Sequence, residues 1–384
     1  MRILALKPQG YVLPFIHAFM VKAFQSVGLE VFEAPIPRTG EDISAFLKTY
    51  HNRFDAGFII DMGNHASFIQ NFKDIQITLK IPWIIWFVDD PEGYNFPQTC
   101  EASWTYAFCW DNEICHRLIM GEDWRGRPIA HLPLAAAPGV FFQEQPKPDL
   151  VYPEGVFVGS TAHANPFLKE AATKSEFNKD QKFLWAIYSK DLTQSLHDLV
   201  WAYLGAKVGR APEQVRQDPL GKLWAHACVF KLGTMKRKEI VCRILAKGAI
   251  FGDDGWREAG EDHFQGPAKY GVELSWIYNR SSFVLDIRQP QARTGLTQRV
   301  FDAGACGVPV LAEWSPELEM LFDPEHELSF FRTIDEGIQR RDDLLQSSQR
   351  ARKKAQAAKK RILKQHTYKE RALQALRALR TDSI

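Results

Sequence analysis

The chain has 384 residues, of which 45% are apolar and 24% charged, so it can bury a sizeable core and is expected to fold as two domains. Its 48 Lys and Arg nearly balance 46 Asp and Glu, which argues against binding nucleic acid over the whole surface. A content of 12% aromatic residues excludes a disordered chain. The apolar runs are short and no signal peptide precedes them, so a cytoplasmic location is expected.

The N-terminal half alternates short apolar runs with stretches long enough for helices. The predicted strands are Ile3–Lys7, Glu30–Ala34, Ala56–Asp61, Pro82–Val88, Tyr106–Trp110 and Ile129–Pro133. Helices are predicted over Leu13–Val27 and from a cap at Asp111 to Met120. This alternation is typical of a doubly wound α/β sheet, in which ligands bind beyond the carboxyl ends of the strands.

A stretch from Leu132 to Gly155 with five Pro divides the chain. We therefore predict an N-terminal domain over residues 1–135 and a C-terminal domain over 136–345, both Rossmann-like. Strands of the second domain are predicted at Val156–Val158, Ala249–Gly252, Ser282–Asp286 and Val308–Ala312. Apolar residues at helical spacing predict an all-helical insert over about 163–247.

Several catalytic and binding motifs are absent from the sequence. It contains no Gly-x-Gly-x-x-Gly, phosphate-loop, His-Glu-x-x-His or Gly-x-Ser-x-Gly motif, which disfavours a dehydrogenase, an ATPase, a zinc protease or an α/β-hydrolase. It also lacks the Asp-x-Asp pair that holds a divalent metal against a nucleotide diphosphate. We expect no cofactor and no metal, so amides, helix dipoles and cationic side chains would have to balance phosphate charge.

The most informative stretch runs from 293 to 310, where a polar loop follows a strand and a helix begins near Gly295. Free N–H groups at such a helix start form an anion site at the ligand edge of the sheet. Its candidate donor-binding residues are Arg293, Thr294, Gly295, Thr297, Arg299 and Asp302. In this interpretation the arginines add positive charge, and Asp302 accepts hydrogen bonds from ribose hydroxyls. The alternative is a packed helix in which Thr297 is only a cap and Asp302 is solvated.

This region carries a resemblance to a known family. The segments 277–288 and 297–331 are similar to the C-terminal donor-binding region of GT-B glycosyltransferases, in the CgeB-like (spore-maturation-protein) branch. Weaker matches in the same order are Trp86–Pro91, the interdomain sequence HLPLAAAPGVFF, Phe157–Ser160 and His366–Arg371. The resemblance covers most of the chain except roughly 163–232. It implies two Rossmann-like domains facing a cleft, with a C-terminal helix that crosses back to the first domain.

The resemblance also implies a function. A glycosyltransferase of this type moves a sugar from a nucleotide-diphosphate donor, held by the C-terminal domain, to an acceptor, here a glycan, a protein or a small molecule. The alternative is a non-catalytic protein that binds a nucleotide sugar or a partner on the same scaffold. Asp302 stands where the family usually has Glu, and Thr294 stands where many GT-B enzymes have the first acid of a pair. The base, the sugar and the stereochemical outcome therefore stay undetermined.

Further candidate residues follow other strands. Gly159, Ser160 and Thr161 can donate amides and hydroxyls to the diphosphate, and a routine turn is the alternative. Asp253 follows the strand ending at Gly252, in the loop that a GT-B arrangement puts beside the nucleotide base. Asp90 is the first choice for the general base, although Asp-Pro is also a common turn. His65 is a second catalytic or phosphate-contacting candidate.

The last segment is strongly basic. Residues 340–380 contain 14 Lys and Arg against three acids, with Leu and Ala at helical spacing. We predict that residues 346–384 form helices that pack on the N-terminal domain. Because the rest of the chain is acidic, intramolecular docking is favoured over a nucleic-acid role, and a weak peripheral contact with an anionic membrane stays open.

Overall fold

The computed structural model describes residues 1–64, 66–91, 99–120, 129–161, 175–260 and 263–381. The chain divides into two compact units. Unit 1 comprises Met1–Ala137, Thr294–Leu296 and Leu363–Ile384. Unit 2 comprises Pro138–Arg293 and Thr297–Ile362.

Unit 1 is built on a six-stranded parallel sheet in the order β2-β1-β3-β4-β5-β6. The strands are β1 (Arg2–Lys7), β2 (Glu30–Pro35), β3 (Ala56–Ile60), β4 (Trp83–Phe87), β5 (Thr105–Cys109) and β6 (Ala130–His131). The helices are α1 (Leu13–Ser26), α2 (Gly40–Tyr50), α3 (Ala66–Leu79) and α4 (Asn112–Met120), with short 3-10 turns at Asp61–Asn64 and Ala102–Trp104. Every residue of β3, β4 and β5 is buried, because helices cover both faces of a parallel sheet.

Unit 2 contains a five-stranded parallel sheet in the order β11-β10-β9-β7-β8. The strands are β7 (Val156–Val158), β8 (Ala249–Phe251), β9 (Val284–Asp286), β10 (Val310–Glu313) and β11 (Ser329–Phe331). The helices are α5 (Ser175–Tyr188), α6 (Leu196–Val208), α7 (Pro212–Gln217), α8 (Pro219–Leu245), α9 (Val272–Asn279), α10 (Gln298–Ala305), α11 (Pro316–Leu321), α12 (Ile334–Gln346) and α13 (Ser348–Gln365), with a 3-10 turn at Asp254–Ala259. The α/β GT-B fold predicted from the sequence is confirmed.

Helices α5 to α8 are the part of the predicted insert that the structure describes, because residues 162–174 lie outside the described ranges. Their apolar residues join the sheet in one core: Tyr188, Val200 and Ile240 pack in the same cluster as Phe157 and Leu285. The insert therefore shares the hydrophobic core of unit 2.

The basic segment does not dock as one piece on unit 1. Most of α13 lies in unit 2, where Ile362 packs against Gly304 and Arg361 pairs with Glu327 at 3.0 Å. Its buried face is a stripe of small residues at helical spacing, Ala351, Ala355 and Ala358. The structure thus differs from the prediction for residues 346–384 over Ser348–Ile362, which belong to unit 2 and have a stripe of small residues as their buried face.

The last helix, α14 (Tyr368–Thr381), packs in unit 1 against α1. The ring of Tyr368 lies 5.2 Å from that of Phe19 and 6.2 Å from that of Trp86. Arg371 is 1% exposed and donates hydrogen bonds to the carbonyls of Pro133 (2.7 Å) and Leu134 (3.0 Å). These contacts satisfy a buried guanidinium, so α14 is an integral part of the unit 1 core.

Within the described ranges, no helix combines the length and the apolar character needed to cross a lipid bilayer.

Candidate functional site

The order in which strands are added to the unit 2 sheet reverses direction at β7. This strand is the first of the unit along the chain, and β8 lies on one side of it and β9 on the other. Ligands of doubly wound sheets bind outside the carboxyl ends of the strands at such a switch point. The loop after β7 contains Gly159–Thr161, and the loop after β9 leads to the start of α10.

Asp253 holds the loop that follows β7. Its carboxylate accepts hydrogen bonds from the Ser160 hydroxyl at 2.5 Å, the Thr161 amide at 2.9 Å and the Thr161 hydroxyl at 2.7 Å. The same carboxylate caps the 3-10 turn after β8 through the Gly255 amide at 3.1 Å. Asp253 therefore has a positioning role, because its oxygens are engaged in fixing Ser160 and Thr161.

Gly159 is required by close packing. Its N–H donates to the Phe251 carbonyl at 2.9 Å, and its own carbonyl accepts from the indole of Trp256 at 2.6 Å. A Cβ at this position would lie 2.8 Å from Nη1 of Arg299. Trp256 is fully buried against Phe157, so it is a core residue. Among the described residues of this turn, Ser160 is exposed whereas Thr161 is buried.

Arg299 lies inside the unit, under the ends of two strands. Its guanidinium donates to Asp286 at 2.8 Å, to the Val158 carbonyl at 2.6 Å and to the Ile287 carbonyl at 2.7 Å. The Thr297 hydroxyl donates to the same carboxylate of Asp286 at 2.5 Å and also accepts from the Arg299 amide as the N-cap. Helix α10 thus begins at Gln298, three residues later than predicted, because Thr297 caps it.

Arg237 on α8 lies beside the Ser160 turn of the candidate site, and sequence reasoning missed it. It is 2% exposed, and its guanidinium donates to the carbonyl of Ser160 and weakly to those of Arg288 (3.4 Å) and Ile287 (3.5 Å). Burial, with Arg299 nearby, lowers the pKa of Arg237 to about 9. Its described hydrogen-bond partners are carbonyls, so it adds a buried positive charge beneath the Ser160 turn. In the sequence, Arg237 stands in a run of charged residues on a long helix, and that pattern does not indicate that its side chain is buried.

Lys236, the preceding residue, shares a buried carboxylate with Arg288. Glu313, at the end of β10, accepts from Lys236 at 2.9 Å and from Arg288 at 2.8 Å. Burial alone would raise the pKa of Glu313, but the two cations lower it to about 2. Burial and the neighbouring arginines lower the pKa of Lys236 to about 8 even though Glu313 opposes them. Cationic groups therefore outnumber acids around the ends of β9 and β10.

Asp302 is fully buried on α10. Its two oxygens accept from the Tyr270 hydroxyl at 2.7 Å and the Gln298 amide at 3.0 Å. Burial raises the pKa of Asp302 to about 8, so its carboxyl is largely protonated at neutral pH. In this state it is neither the solvated acid of the alternative interpretation nor an exposed ribose ligand.

The three predicted residues before α10 separate between the units. Arg293 belongs to unit 2, where its carbonyl accepts from Arg288 at 2.6 Å. Thr294 and Gly295 belong to unit 1, where their amides donate to the Asp111 carboxylate at 2.8 and 2.7 Å. Asp111 also caps α4, as the sequence predicted, through the amides of Glu113 and Ile114. Thr294 is 183 residues away from Asp111 in sequence, so no local pattern could reveal this contact.

In unit 1, Asp90 is partly buried just after β4. Nearby, the fully buried carboxylate of Asp61 accepts from the amides of Val88 at 2.8 Å and Asp89 at 3.1 Å. Burial and the charge of Asp89 raise the pKa of Asp61 well above its ordinary value. Asp61 also has a positive φ of 45°, a combination that sequence reasoning missed. His65 lies outside the described residues.

The described residues contain no group of three or more His, Cys, Asp or Glu side chains arranged to hold a metal ion. The predicted residues that the structure brings together in unit 2 are Gly159, Ser160, Thr161, Asp253, Thr297 and Arg299. They meet at the carboxyl ends of β7, β8 and β9, where Asp253 fixes the Ser160–Thr161 turn and the buried guanidinium of Arg299 bonds to Asp286 and to the Val158 carbonyl.

Both units have the Rossmann-like sheets of the GT-B class, and solved structures of that class have the same fold. Anabaena HepE, in complex with UDP and glucose, is 10% identical with a TM-score of 0.52 over 99% of this chain and 100% of that one. Sucrose-phosphate synthase from Thermosynechococcus elongatus is 10% identical with a TM-score of 0.56 over 99% and 98%. An alpha-glucosyltransferase in complex with UDP and a 13-mer DNA containing a HMU base is 10% identical with a TM-score of 0.61 over 99% of both chains.

A sequence comparison gives a narrower result. Residues 231–377 match the family model described as glycosyl transferase-like. The match contains Lys236, Arg237, Arg299 and the start of α10, together with the ends of β9 and β10. No curated protein matches the chain.

Proposed function

We propose that this protein is a glycosyltransferase that takes its sugar from a nucleotide-diphosphate donor. The observation that carries the proposal is a coincidence in position: the glycosyl transferase-like segment contains the buried cations that lie at the switch point of the unit 2 sheet. Within the GT-B class we assign the chain to the CgeB-like branch, on the motifs at 277–288 and 297–331.

In this proposal the donor diphosphate lies against the Ser160–Thr161 turn and the start of α10. The first-turn amides of α10 supply the positive end of a helix dipole. Arg237 and Arg299 act from beneath, since their guanidinium groups are bonded to the carbonyls and the carboxylate that shape these two loops. Arg299 therefore stabilises phosphate charge through space and through loop geometry rather than by direct contact.

The reaction is a substitution at the anomeric carbon. The acceptor oxygen forms a bond to that carbon, the bond from the carbon to the diphosphate oxygen breaks, and its electron pair leaves with the nucleoside diphosphate. The buried cations favour this step because negative charge grows on the leaving group. Asp90 takes the acceptor proton, and His65 is the second candidate for that role. No metal and no cofactor are part of the proposal.

The proposed partners are the nucleotide sugar and an acceptor that is a glycan, a protein or a small molecule. We propose no nucleic-acid partner, and a weak peripheral contact with an anionic membrane is assigned to the exposed cations of α13, such as Arg352, Lys353 and Lys360.

A panel of nucleotide sugars tests the proposal. UDP, GDP, dTDP and CMP are first compared by thermal shift, and the sugar donors of the stabilising base are then incubated with the protein while nucleotide release is measured. A glycosyltransferase hydrolyses one donor slowly and keeps that activity in EDTA. Stabilisation with no turnover on any donor would favour the non-catalytic alternative, and the absence of any stabilisation would refute the proposal.

Asp90→Asn tests the assignment of the base. We expect turnover to fall by about 100-fold or more, because a general base contributes 10²–10⁴ to the rate, while donor affinity changes little. Asp74→Asn, on the exposed side of α3, is the matched control and should leave both unchanged. Equal losses of turnover and donor affinity in Asp90→Asn would make Asp90 a structural turn residue.

A further inference from the structure

Asp61 in unit 1 has a fully buried carboxyl group, so it does not itself contact a substrate. It directly follows β3, and residues Val88–Pro91, which we call the β4 loop, directly follow the neighbouring strand. The β4 loop contains Asp90, the proposed base. Both positions are at the carboxyl ends of parallel strands, where ligands of such sheets bind. A buried acid thus lies next to the segment that carries the proposed base.

The Asp61 side chain extends the pairing of β3 with β4 beyond the strands themselves. The backbone pairing ends one residue before Asp61. There, Oδ1 of Asp61 accepts the amide of Val88 at 2.8 Å and that of Asp89 at 3.1 Å. Backbone amides that are buried without an acceptor cost free energy. One carboxyl oxygen therefore fixes the two residues that immediately precede Asp90.

The β4 loop is restrained by other contacts as well. On the side of β5, the Phe87 carbonyl accepts the Trp110 amide at 2.9 Å. After Asp90 comes Pro91, and a proline ring disfavours helical backbone at the residue before it. With Asp61 bonded to the preceding amides, the backbone of Asp90 is restrained from both directions along the chain.

The backbone at Asp61 adopts a conformation that is rare for residues with a side chain. The angle φ is 45° at Asp61 and 51° at Met62, both in the left-handed region. Such a conformation costs free energy and persists only where surrounding contacts impose it, which is common at functional sites. Met62 is fully buried, so core packing holds the chain where it bends after β3.

The two carboxyl oxygens of Asp61 have different environments. Oδ1 accepts both amides, whereas Oδ2 is buried and has no hydrogen-bond partner among the described residues. Burial and the charge of Asp89 raise the pKa of Asp61 well above its ordinary value, which favours the neutral acid. A neutral acid accepts both amides through its carbonyl oxygen without adding a negative charge beside Asp89.

We infer that Asp61 is a positioning residue for glycosyl transfer, which fixes the β4 loop so that Asp90 meets the acceptor hydroxyl in the geometry needed to remove its proton. The inference rests on the proposed function and on Asp90 as the base. A displacement of about 1 Å at a reacting group can cost about 100-fold in rate. Asp61 therefore contributes to turnover and not to donor affinity, because the donor is proposed to bind in unit 2.

Removal of the Asp61 side chain tests the inference, with slow hydrolysis of the donor that the nucleotide-sugar panel identifies, for example UDP-glucose. Asp61→Gly removes the acceptor of both amides, and glycine suits the left-handed backbone at this position. We expect nucleotide release to slow by about tenfold or more, while the donor dissociation constant in calorimetry stays within about twofold. Asp61→Asn keeps a neutral acceptor oxygen and should retain most of the turnover.

Gln76→Ala is the matched control for lost stability. Gln76 is also fully buried in unit 1, and its side chain accepts the backbone amide of Glu101 at 2.8 Å. It donates to the hydroxyl of Thr105, which begins β5 at the opposite edge of the sheet from Asp90. This variant should melt at a lower temperature and keep its turnover. A loss of turnover confined to Asp61→Gly then cannot come from lost stability.

A double variant and hydrogen exchange separate positioning from other roles. If Asp61 acts through Asp90, Asp61→Gly should cost little further turnover in the Asp90→Asn background. Hydrogen exchange needs no substrate: the amides of Val88 and Asp89 should exchange faster in Asp61→Gly than in the wild type and stay protected in Asp61→Asn.

Unchanged turnover in Asp61→Gly, or the same fold-loss with and without Asp90→Asn, would overturn the inference while the proposed function still stands. Equal losses of turnover and donor affinity would also overturn it, since Asp61 would then only support the fold. So would a loss of turnover in Asp61→Asn with both amides still protected, a result that does not depend on how Asp61→Gly folds. If the wild-type protein turned over no donor, the proposed function and this inference would be refuted together.

Discussion

Glu313, at the end of β10, carries the negative charge that balances two buried cations. It is fully buried and pairs with both Lys236 and Arg288. Glu313→Gln leaves two buried cations without their counter-charge, so we expect the free energy of unfolding to fall by about 3–5 kcal/mol in urea denaturation. Glu319→Gln, which removes an exposed pair with Arg332, should cost less than about 1 kcal/mol.

The pH dependence of this cluster follows from the same pairing. The pKa of Glu313 falls from 4.5 to about 2 in the folded protein. A carboxyl with a lowered pKa contributes stability that is complete above its unfolded pKa and is lost as the pH falls towards 2. Wild-type protein should therefore lose stability over this acid range more steeply than Glu313→Gln. Parallel pH profiles for the two proteins would contradict the pairing.

The pKa of Asp302 is raised, so it predicts a pH dependence of stability opposite to that of Glu313. Its pKa is raised from 3.8 to about 8, so the folded state binds a proton that the unfolded state has lost between these values, and stability should fall as the pH rises from about 4 to 8. Asp302→Asn mimics the protonated form and should remove this dependence, leaving the variant more stable than wild type by about 2 kcal/mol or more at pH 8. Denaturant titrations at pH 5 and pH 8 measure the difference.

Asp286→Asn is the matched comparison, because Asp286 is equally buried but is paired with Arg299. It should be destabilising at both pH values. If Asp302→Asn were instead destabilised at pH 8, the carboxyl would be ionised in the folded protein, as a ribose ligand would be expected to be.

Among the helices, a comparison of two N-caps distinguishes the effect of capping on stability from an effect on ligand binding at the start of α10. Thr297 and Thr333 are both threonine N-caps whose side chains accept an amide of the first turn. Each change to Ala should cost about 1 kcal/mol of stability. Only Thr297→Ala should also weaken nucleoside diphosphate binding, because Thr297 holds Asp286 and thereby Arg299 at the site. Equal binding by both variants would put the diphosphate elsewhere.

The elements themselves were largely predictable from the sequence, and their contacts were not. Strands such as β3 and β4 are buried on both faces and therefore appear as unbroken apolar runs. The turn at Gly159–Thr161 was found because a strand ended there. Arg237 was missed because its burial depends on the carbonyls of distant loops, and its own helix is rich in lysine and arginine that look solvated.

The tail shows the same limit. Basic residues at helical spacing predicted helices over 346–384, and helices formed. The pattern could not show that the alanine stripe of α13 fits unit 2 whereas Tyr368, Ala372 and Leu376 of α14 fit unit 1, because both are apolar stripes on cationic helices. The unit on which each helix packs depends on the shape of the partner surface, which the helix sequence does not contain.

On the scale of the whole molecule, removal of α14 tests how unit 1 is completed. A chain ending at Gln365 lacks the buried side chains of Tyr368, Ala372 and Leu376, and large buried apolar side chains contribute about 1.5–3 kcal/mol each. We expect a lower melting temperature in calorimetry. Tyr368→Ala should reproduce part of the loss and Lys369→Ala, an exposed neighbour, none of it. An unchanged melting temperature would mean that α14 is an interaction arm.

The membership of α14 in unit 1 also sets the timing of protein synthesis. Unit 1 contains Met1–Ala137 and closes with Leu363–Ile384, so more than 200 residues are translated between its first segment and its last. At about 5–20 residues per second this interval lasts tens of seconds. During that time Phe19 and Trp86 lack the Tyr368 ring that contacts them in the folded protein, whereas every segment of unit 2 has been translated before α14.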